Sequence, residues 1–299
     1  MKRNRILSLL LVLFLFFALP VGAINESLKI VDMAGRGLIF EKPVERIVAL
    51  QPADCEILYG IGAGDLLVGR GEYCDYPEEV LLVPSVQSGF ETNFEQIIAL
   101  GPDVVVMPKM GQREDDIKKL EAAGIITVVS DAQTIEGVYE SISLLGQMTG
   151  KVDNAADLVQ SMKDSFAQIR LDSKDKLGVS VYFEASPLEY GLWTAGTGTF
   201  MDEIAGMLGL TNVFADLEGW QSISEEQVLV RDPDFIVTTA MYVGEGLEPA
   251  EEVLTRSNWE NIKAVRNNKV FNADGDAITR PGPRLVDAAW AFYDFVYGE

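Results

Sequence analysis

From residue 46 onward the chain alternates short apolar, β-branched runs with longer segments of helical periodicity. Arg46-Ile47-Val48-Ala49-Leu50, Leu66-Leu67-Val68-Gly69-Arg70, Val104-Val105-Val106-Met107, Ile126-Thr127-Val128-Val129 and Val179-Ser180-Val181-Tyr182-Phe183 read as buried strands. Between them, apolar residues at helical spacing predict helices after Asp54, near 94–100 and near 113–123. A final amphipathic helix is predicted from about Arg284 to Tyr297. This alternation predicts a parallel sheet with helices on both faces. Upstream, Leu28–Asp32 and Leu38-Ile39-Phe40 flank a Gly35-Arg36-Gly37 turn and predict a short hairpin. Gln51-Pro52-Ala53-Asp54 reads as a turn with Asp54 as helix N-cap.

From Ile135 to about Arg170 the pattern changes. Val138, Ile142, Leu145, Met148, Ala155, Leu158, Met162, Phe166 and Ile169 keep helical spacing without a proline, and Gly150 marks a bend. The alternation then resumes. The simplest organisation is two α/β lobes, 24–133 and 172–299, joined by one long helix over 134–171.

The strongest signal is an internal echo. Glu95-Gln96-Ile97-Ile98-Ala99-Leu100-Gly101-Pro102-Asp103-Val104-Val105-Val106 matches Glu226-Gln227-Val228-Leu229-Val230-Arg231-Asp232-Pro233-Asp234-Phe235-Ile236-Val237 without a gap. Each copy has a polar cap (Asn93 or Ser224), a Gln at capping-box spacing (Gln96 or Gln227), a Pro-Asp turn and a buried strand. One copy falls in each lobe, so the lobes are expected to be versions of one fold. Glu95 and Glu226 occupy matching first-turn positions. Complementing the helix dipole explains either one, by about 0.3–1 kcal/mol; the other reading is a symmetric docking pair.

The N-terminus has a basic start, an apolar run from Ile6 to Leu19 and small residues up to Ala23, which predicts a signal peptide (1–23) cleaved after Ala23. The apolar run is shorter than the roughly 20 residues a membrane span needs. No Cys stands at the cleavage point, so no lipid anchor is expected. The formal charge is −22; an acidic surface of this kind repels phosphate backbones and argues against nucleic acid as a partner. The sequence contains no histidine. That excludes a His-based zinc site, a His-ligated haem and a Ser-His-Asp triad. The two cysteines, Cys55 and Cys74, cannot make a structural zinc site alone. No resident cofactor or metal is expected.

The chain from Arg46 onward resembles the cobalamin and ferric-siderophore class of periplasmic binding proteins. The carrying segments are Arg46–Leu50, Gly71-Glu72-Tyr73-Cys74-Asp75-Tyr76-Pro77, Asn93–Asp103, its echo Ser224–Asp234, and Arg280-Pro281-Gly282-Pro283-Arg284. The resemblance implies two rigid Rossmann-like lobes bridged by a long helix, of the helical-backbone metal-receptor type, with the ligand between the lobes. It implies a protein, monomeric when free, that delivers a metal chelate to the transmembrane dimer of an ABC importer. It also makes Glu95 and Glu226 the acids that meet permease arginines, and a symmetric pair suits a two-fold partner.

Ligands of open α/β sheets bind beyond the carboxyl ends of the strands. There the first lobe offers Gln51, Pro52, Tyr73, Tyr76, Phe90, Lys109 and Met110. The second offers Glu184, Trp193, Trp220, Met241, Tyr242 and Arg280. Aromatic walls suit a flat macrocycle or a catecholate chelate, although ordinary packing explains any single member. Arg280 could hold an anionic chelate or pair with an acid; Arg284 reads as structural. Cys55 and Cys74 fall on the first two strand–helix connections, which neighbouring parallel strands bring together. They could close a disulfide worth about 3 kcal/mol or remain two buried thiols. Two rival classes stay open: a chelate-binding sensor on the same fold, and a secreted hydrolase using carboxylates such as Asp75 and Glu184, for which no catalytic constellation is present.

Overall fold

The structure is a computed structural model that describes residues 27–89, 91–109, 114–175, 178–240 and 246–298. The predicted hairpin forms first: β1 (Leu28–Val31) pairs antiparallel with β2 (Gly37–Phe40). The first lobe follows with β3 (Ile47–Ala49), α1 (Pro52–Gly60), β4 (Leu67–Gly71), β5 (Ser85–Val86), α2 (Phe94–Ala99), β6 (Val104–Met107), α3 (Glu114–Ala122) and β7 (Ile126–Val129). Its five strands are parallel, in the order β5-β4-β3-β6-β7. After β3 the chain moves outward through β4 and β5, then returns to place β6 on the other side of β3. The topological switch point therefore lies between β3 and β6.

Two helices come next, α4 (Ile135–Thr149) and α5 (Val152–Ser173). The second lobe contains β8 (Val179–Glu184), β9 (Trp193–Ala195), α6 (Phe200–Met207), β10 (Leu210–Asn212), β11 (Trp220–Ser222), α7 (Glu225–Arg231), β12 (Phe235–Thr238), α8 (Pro249–Leu254), α9 (Lys263–Arg266), β13 (Val270–Asn272), α10 (Gly275–Thr279) and α11 (Leu285–Tyr297). Its main sheet is parallel, β10-β8-β12-β13, with a switch point between β8 and β12. A small antiparallel ribbon, β9 with β11, stands beside it.

The apolar strand runs divide their side chains by face, as period-two geometry requires. Ile47, Ala49, Val104 and Val106 join a core that also holds residues of α1, α4, α5 and α11 together with Val181, Phe183 and Val237 of the second sheet. This core is continuous through both lobes. Val48, Val105 and Met107 face the other way, onto Ile97 and Leu120. In the second lobe Tyr182 and Ile236 pack outward onto Phe214, Val253 and Trp259.

Two expectations are corrected. The single long helix is two helices. Gly150 adopts φ +70° as the C-cap of α4, its N–H and that of Lys151 closing back on Gln147 O and Gly146 O, the usual way a helix ends on a left-handed residue. α5 then folds back along α4, where a Cβ on Gly146 would lie 2.4 Å from the Ala155 side chain. The spanning element is α5: Asn154 Nδ2 donates to Ile61 O at 2.8 Å in the first lobe, and Trp290 Nε1 of α11 donates to Ser165 Oγ at 2.8 Å in the second. Second, the cap of α1 is Gln51, because Pro52 occupies N1 with its φ already helical. Asp54 lies inside the first turn, fully buried.

Candidate functional site: the interlobe cleft

The carboxyl ends of β3, β6 and β7 face the second lobe across a cavity of about 490 Å³. Gln51, Pro108, Lys109, Asp131, Ala132 and Gln133 line it from the first lobe and its exit; Phe200, Trp220, Thr279 and Pro281 line it from the second. The volume lies within the range of small-molecule sites.

Hydrogen bonds pre-shape this lining. Gln51 Nε2 donates to Ser130 O at 2.8 Å, tying the end of β3 to the end of β7. Lys109 N donates to Asp131 Oδ1 at 3.3 Å. Gln133 spans the lobes twice: its carbonyl accepts from Phe200 N at 2.9 Å, and its Oε1 accepts from Trp220 Nε1 at 3.2 Å. Trp220 meets the Phe200 ring edge-on at 5.6 Å. The indole is thus held by its polar tip and its edge while part of the ring remains open to the cavity.

One wall is an ionic bridge. Arg280 Nη1 reaches Asp75 Oδ1 at 2.5 Å and Glu56 Oε1 at 3.4 Å in the first lobe, while Nη2 pairs with Asp276 Oδ1 at 2.7 Å in its own lobe. Arg284 grips Glu56 through Nη2–Oε1 at 2.7 Å and Nε–Oε2 at 3.0 Å, and stacks on Tyr76 with Cζ 4.2 Å from the ring centre. Hydrogen bonding from Arg280 holds the Asp75 carboxyl below its ordinary range, against a smaller opposing effect of burial. The structural reading of Arg284 is correct, and Arg280 is occupied by acids rather than open for an anionic chelate.

Of the other expected ligand residues, Gln51, Lys109 and Trp220 line the cavity. Pro52 is half-buried at the start of α1 beside it. Tyr73, Tyr76 and Trp193 are exposed, at 61%, 47% and 44%, and are not part of the cavity lining. Phe90, Met110, Met241 and Tyr242 lie outside the described residues.

Glu184 is a correction. It ends β8 at the second switch point, but it is 1% exposed and turned into its own lobe. Arg256 Nη1 meets its Oε2 at 2.6 Å and Nη2 its Oε1 at 3.0 Å; Arg256 also bonds Glu252 and lies over the Trp259 ring at 4.5 Å. Burial raises the Glu184 pKa while Arg256 opposes the rise. A carboxylate locked in this way has nothing left for a ligand.

Cys55 and Cys74 are buried, unbonded thiols in this structure. Glu95 and Glu226 are both exposed in the first turns of α2 and α7. Ser224 bonds the Glu226 carboxylate and lowers its pKa.

Sequence reasoning passed over Asp131, Gln133, Phe200 and Thr279. The carboxyl-end rule reaches Asp131-Ala132-Gln133, since they follow β7 directly. Thr279 and Phe200 enter through a short helix and a ribbon-supported turn that no periodicity marks.

A second hollow of about 590 Å³ lies between α4, α5 and α6. Its Lys163 and Arg170 are exposed, and its Glu203 is engaged in capping α4 through Ile135 N at 2.6 Å. This is a solvated seam rather than a converging site.

Two parallel-sheet lobes, a shared core and a pre-shaped cleft at facing switch points define a bilobal solute-binding protein. The chain belongs to the periplasmic binding protein family, which matches residues 47–277, and it is a substrate-binding protein of the ABC-importer class. It is 35% identical over 273 residues to an uncharacterized ABC transporter substrate-binding lipoprotein of Bacillus subtilis, covering 89% of this chain and 84% of that one. It is 28% identical to a vitamin B12-binding protein of Vibrio cholerae, over 82% and 87% of the two chains. An ABC-type Fe3+-hydroxamate transport structure from Saccharomonospora viridis superposes with a TM-score of 0.75 at 26% identity, over 90% and 99%.

Proposed function

We propose that the cleft captures a corrinoid-type metal chelate outside the cytoplasm, without turnover, and that the loaded protein docks through Glu95 and Glu226 on a two-fold ABC permease. The observation that carries the ligand class is the chemistry of the described lining. It presents two amides, a hydroxyl and a tethered indole from Gln51, Gln133, Thr279 and Trp220, with a single cation, Lys109, and a single acid, Asp131, whose carboxylate accepts the Lys109 backbone N–H. The nearby arginines are committed to Glu56, Asp75 and Asp276. A corrin ring is flat and carries a rim of neutral carboxamides, which amide and hydroxyl partners satisfy. A tris-catecholate, or a haem with two propionates, calls for uncommitted cations. The cavity is smaller than a whole cobalamin, so the ligand would be clasped in part.

Binding without turnover is supported by the state of the two candidate acids. Asp75 and Glu184 are each neutralised by a guanidinium, leaving no poised carboxylate pair. Export is supported by the 1–23 leader pattern.

The test is isothermal calorimetry of the purified mature protein with cyanocobalamin, a ferric hydroxamate, a ferric catecholate and hemin. Saturable one-to-one heat with cyanocobalamin, weakened at least tenfold by Trp220→Ala, is expected. Tight binding of an iron chelate with none of cobalamin would overturn the corrinoid assignment and leave the carrier role standing.

A further inference from the structure

The first two strand–helix connections meet over the end of β3. Gly71 packs so closely on that strand's exit that a Cβ there would lie 2.3 Å from Leu50 O. This backbone contact brings the 71–77 loop against α1. At the contact Cys55 Sγ and Cys74 Sγ each lie 3.9 Å from the same carbonyl, Ala49 O. Both residues are 0% exposed. No other cysteine exists in the chain to compete for either.

We propose that Cys55 and Cys74 are an oxidation site, closing an intramolecular disulfide that fastens the 71–77 loop to α1 once the chain reaches an oxidising compartment. The two thiols lose two protons and two electrons to the disulfide of an exported thiol oxidoreductase or of oxidised glutathione. One thiolate attacks that disulfide to give a mixed disulfide, and the other displaces the carrier. The oxidant's S–S bond breaks in the first step, the mixed S–S bond breaks in the second as the Sγ–Sγ bond forms, and the oxidant leaves as two thiols. Hydrogen bonding to Cys74, and then burial, hold the Cys55 thiol well above its ordinary pKa. The folded, reduced pair is therefore a slow nucleophile, and oxidation belongs to the folding chain.

The consequence reaches the cleft. The fastened loop supplies Asp75 and the Tyr73 carbonyl to Arg280 and the Tyr76 ring to Arg284. The bond would brace the first-lobe half of the ionic bridge between the lobes.

The test is refolding of the purified chain from denaturant in a glutathione redox buffer, with no chelate present, followed by intact mass and by maleimide labelling under denaturing conditions. Loss of two hydrogens and of both labels is expected. Reductant should restore the labels and lower the thermal midpoint by several degrees. Cys55→Ser and Cys74→Ser should each keep one label and lose the reductant-sensitive shift. Two fully labelled thiols after refolding, or glutathione adducts and covalent dimers in place of the internal bond, would overturn it. Either result leaves the ligand assignment untouched.

Discussion

Asp54 stands in the first turn of α1, close behind Gln51 and Ser130, with neither carboxylate oxygen hydrogen-bonded and no exposure to solvent. Burial, opposed in part by Ser130 and Gln51 and reinforced by Asp131, pushes its pKa up to about 7. The folded protein therefore holds a proton that the unfolded chain gives up near pH 4. This group's contribution is fully present below the unfolded value and is lost as the pH rises through 7. Asp54→Asn, which imitates the protonated acid, should melt close to the wild type at pH 4 and above it at pH 8. The ceiling is about 4 kcal/mol for three pH units. Thermal melts at the two pH values check this, and an equal difference at both would refute it. Individual charges were the least legible part of the sequence. Glu184 finds Arg256 72 residues away, and Arg280 finds Glu56 across 224. Local pattern says which residues can pair, but only the packed topology says which do.

Elements were far more legible, because a buried strand and its covering helix are written in contiguous residues. The parallel strands and their switch points lie where the apolar runs stand. The helical break at Gly150 was harder to see, since α4 and α5 both bury a face in one core and the periodicity runs on across the turn. The internal echo held a meaning beyond its glutamates. Asp103 Oδ2 accepts the N–H groups of Glu45 and Arg46 at 3.1 Å each, just before β3. Asp234 Oδ2 accepts Ser180 N at 2.9 Å and Ser180 Oγ at 2.8 Å on β8. The repeated Pro-Asp thus anchors the first sheet strand of each lobe. Burial pushes both acids up, but Lys42 and the backbone donors outweigh it at Asp103, as Ser180 and Lys263 do at Asp234, so both titrate below the ordinary value. Asp103→Ala and Asp234→Ala should each cost about 1–3 kcal/mol by removing hydrogen bonds to a charged carboxylate. Glu95→Ala and Glu226→Ala, exposed in the same repeat, should stay within about 0.5 kcal/mol. Urea unfolding at pH 7 separates the two pairs, and neutral aspartate variants would show that the anchoring is incidental. The stability supplied by both aspartates is present above pH 4 and disappears as acid carries the solution through their lowered pKa values.

At the scale of the molecule, the shared core, the α4–α5 pair and the Arg280–Asp75 contact together restrain how far the lobes can part. That restraint bears on docking. α2 and α7 project Glu95 and Glu226 from different lobes, and a partner with two matching cationic sites reads both only if their separation is held. In a mobile hinge protein, changing a docking residue and changing the ligand grip would be hard to disentangle. Here the two surfaces are separable, since neither glutamate belongs to the cavity lining. Reversing both, Glu95→Lys with Glu226→Lys, should abolish chelate uptake in cells or in proteoliposomes containing the cognate permease. The calorimetric affinity of the purified protein should stay within about twofold, as expected for charges at a wet, exposed interface. Each single reversal should fall between, because one lobe still engages. A loss of affinity in the double variant would move the two acids into the ligand site. Unchanged uptake would return them to their ordinary task of complementing a helix dipole.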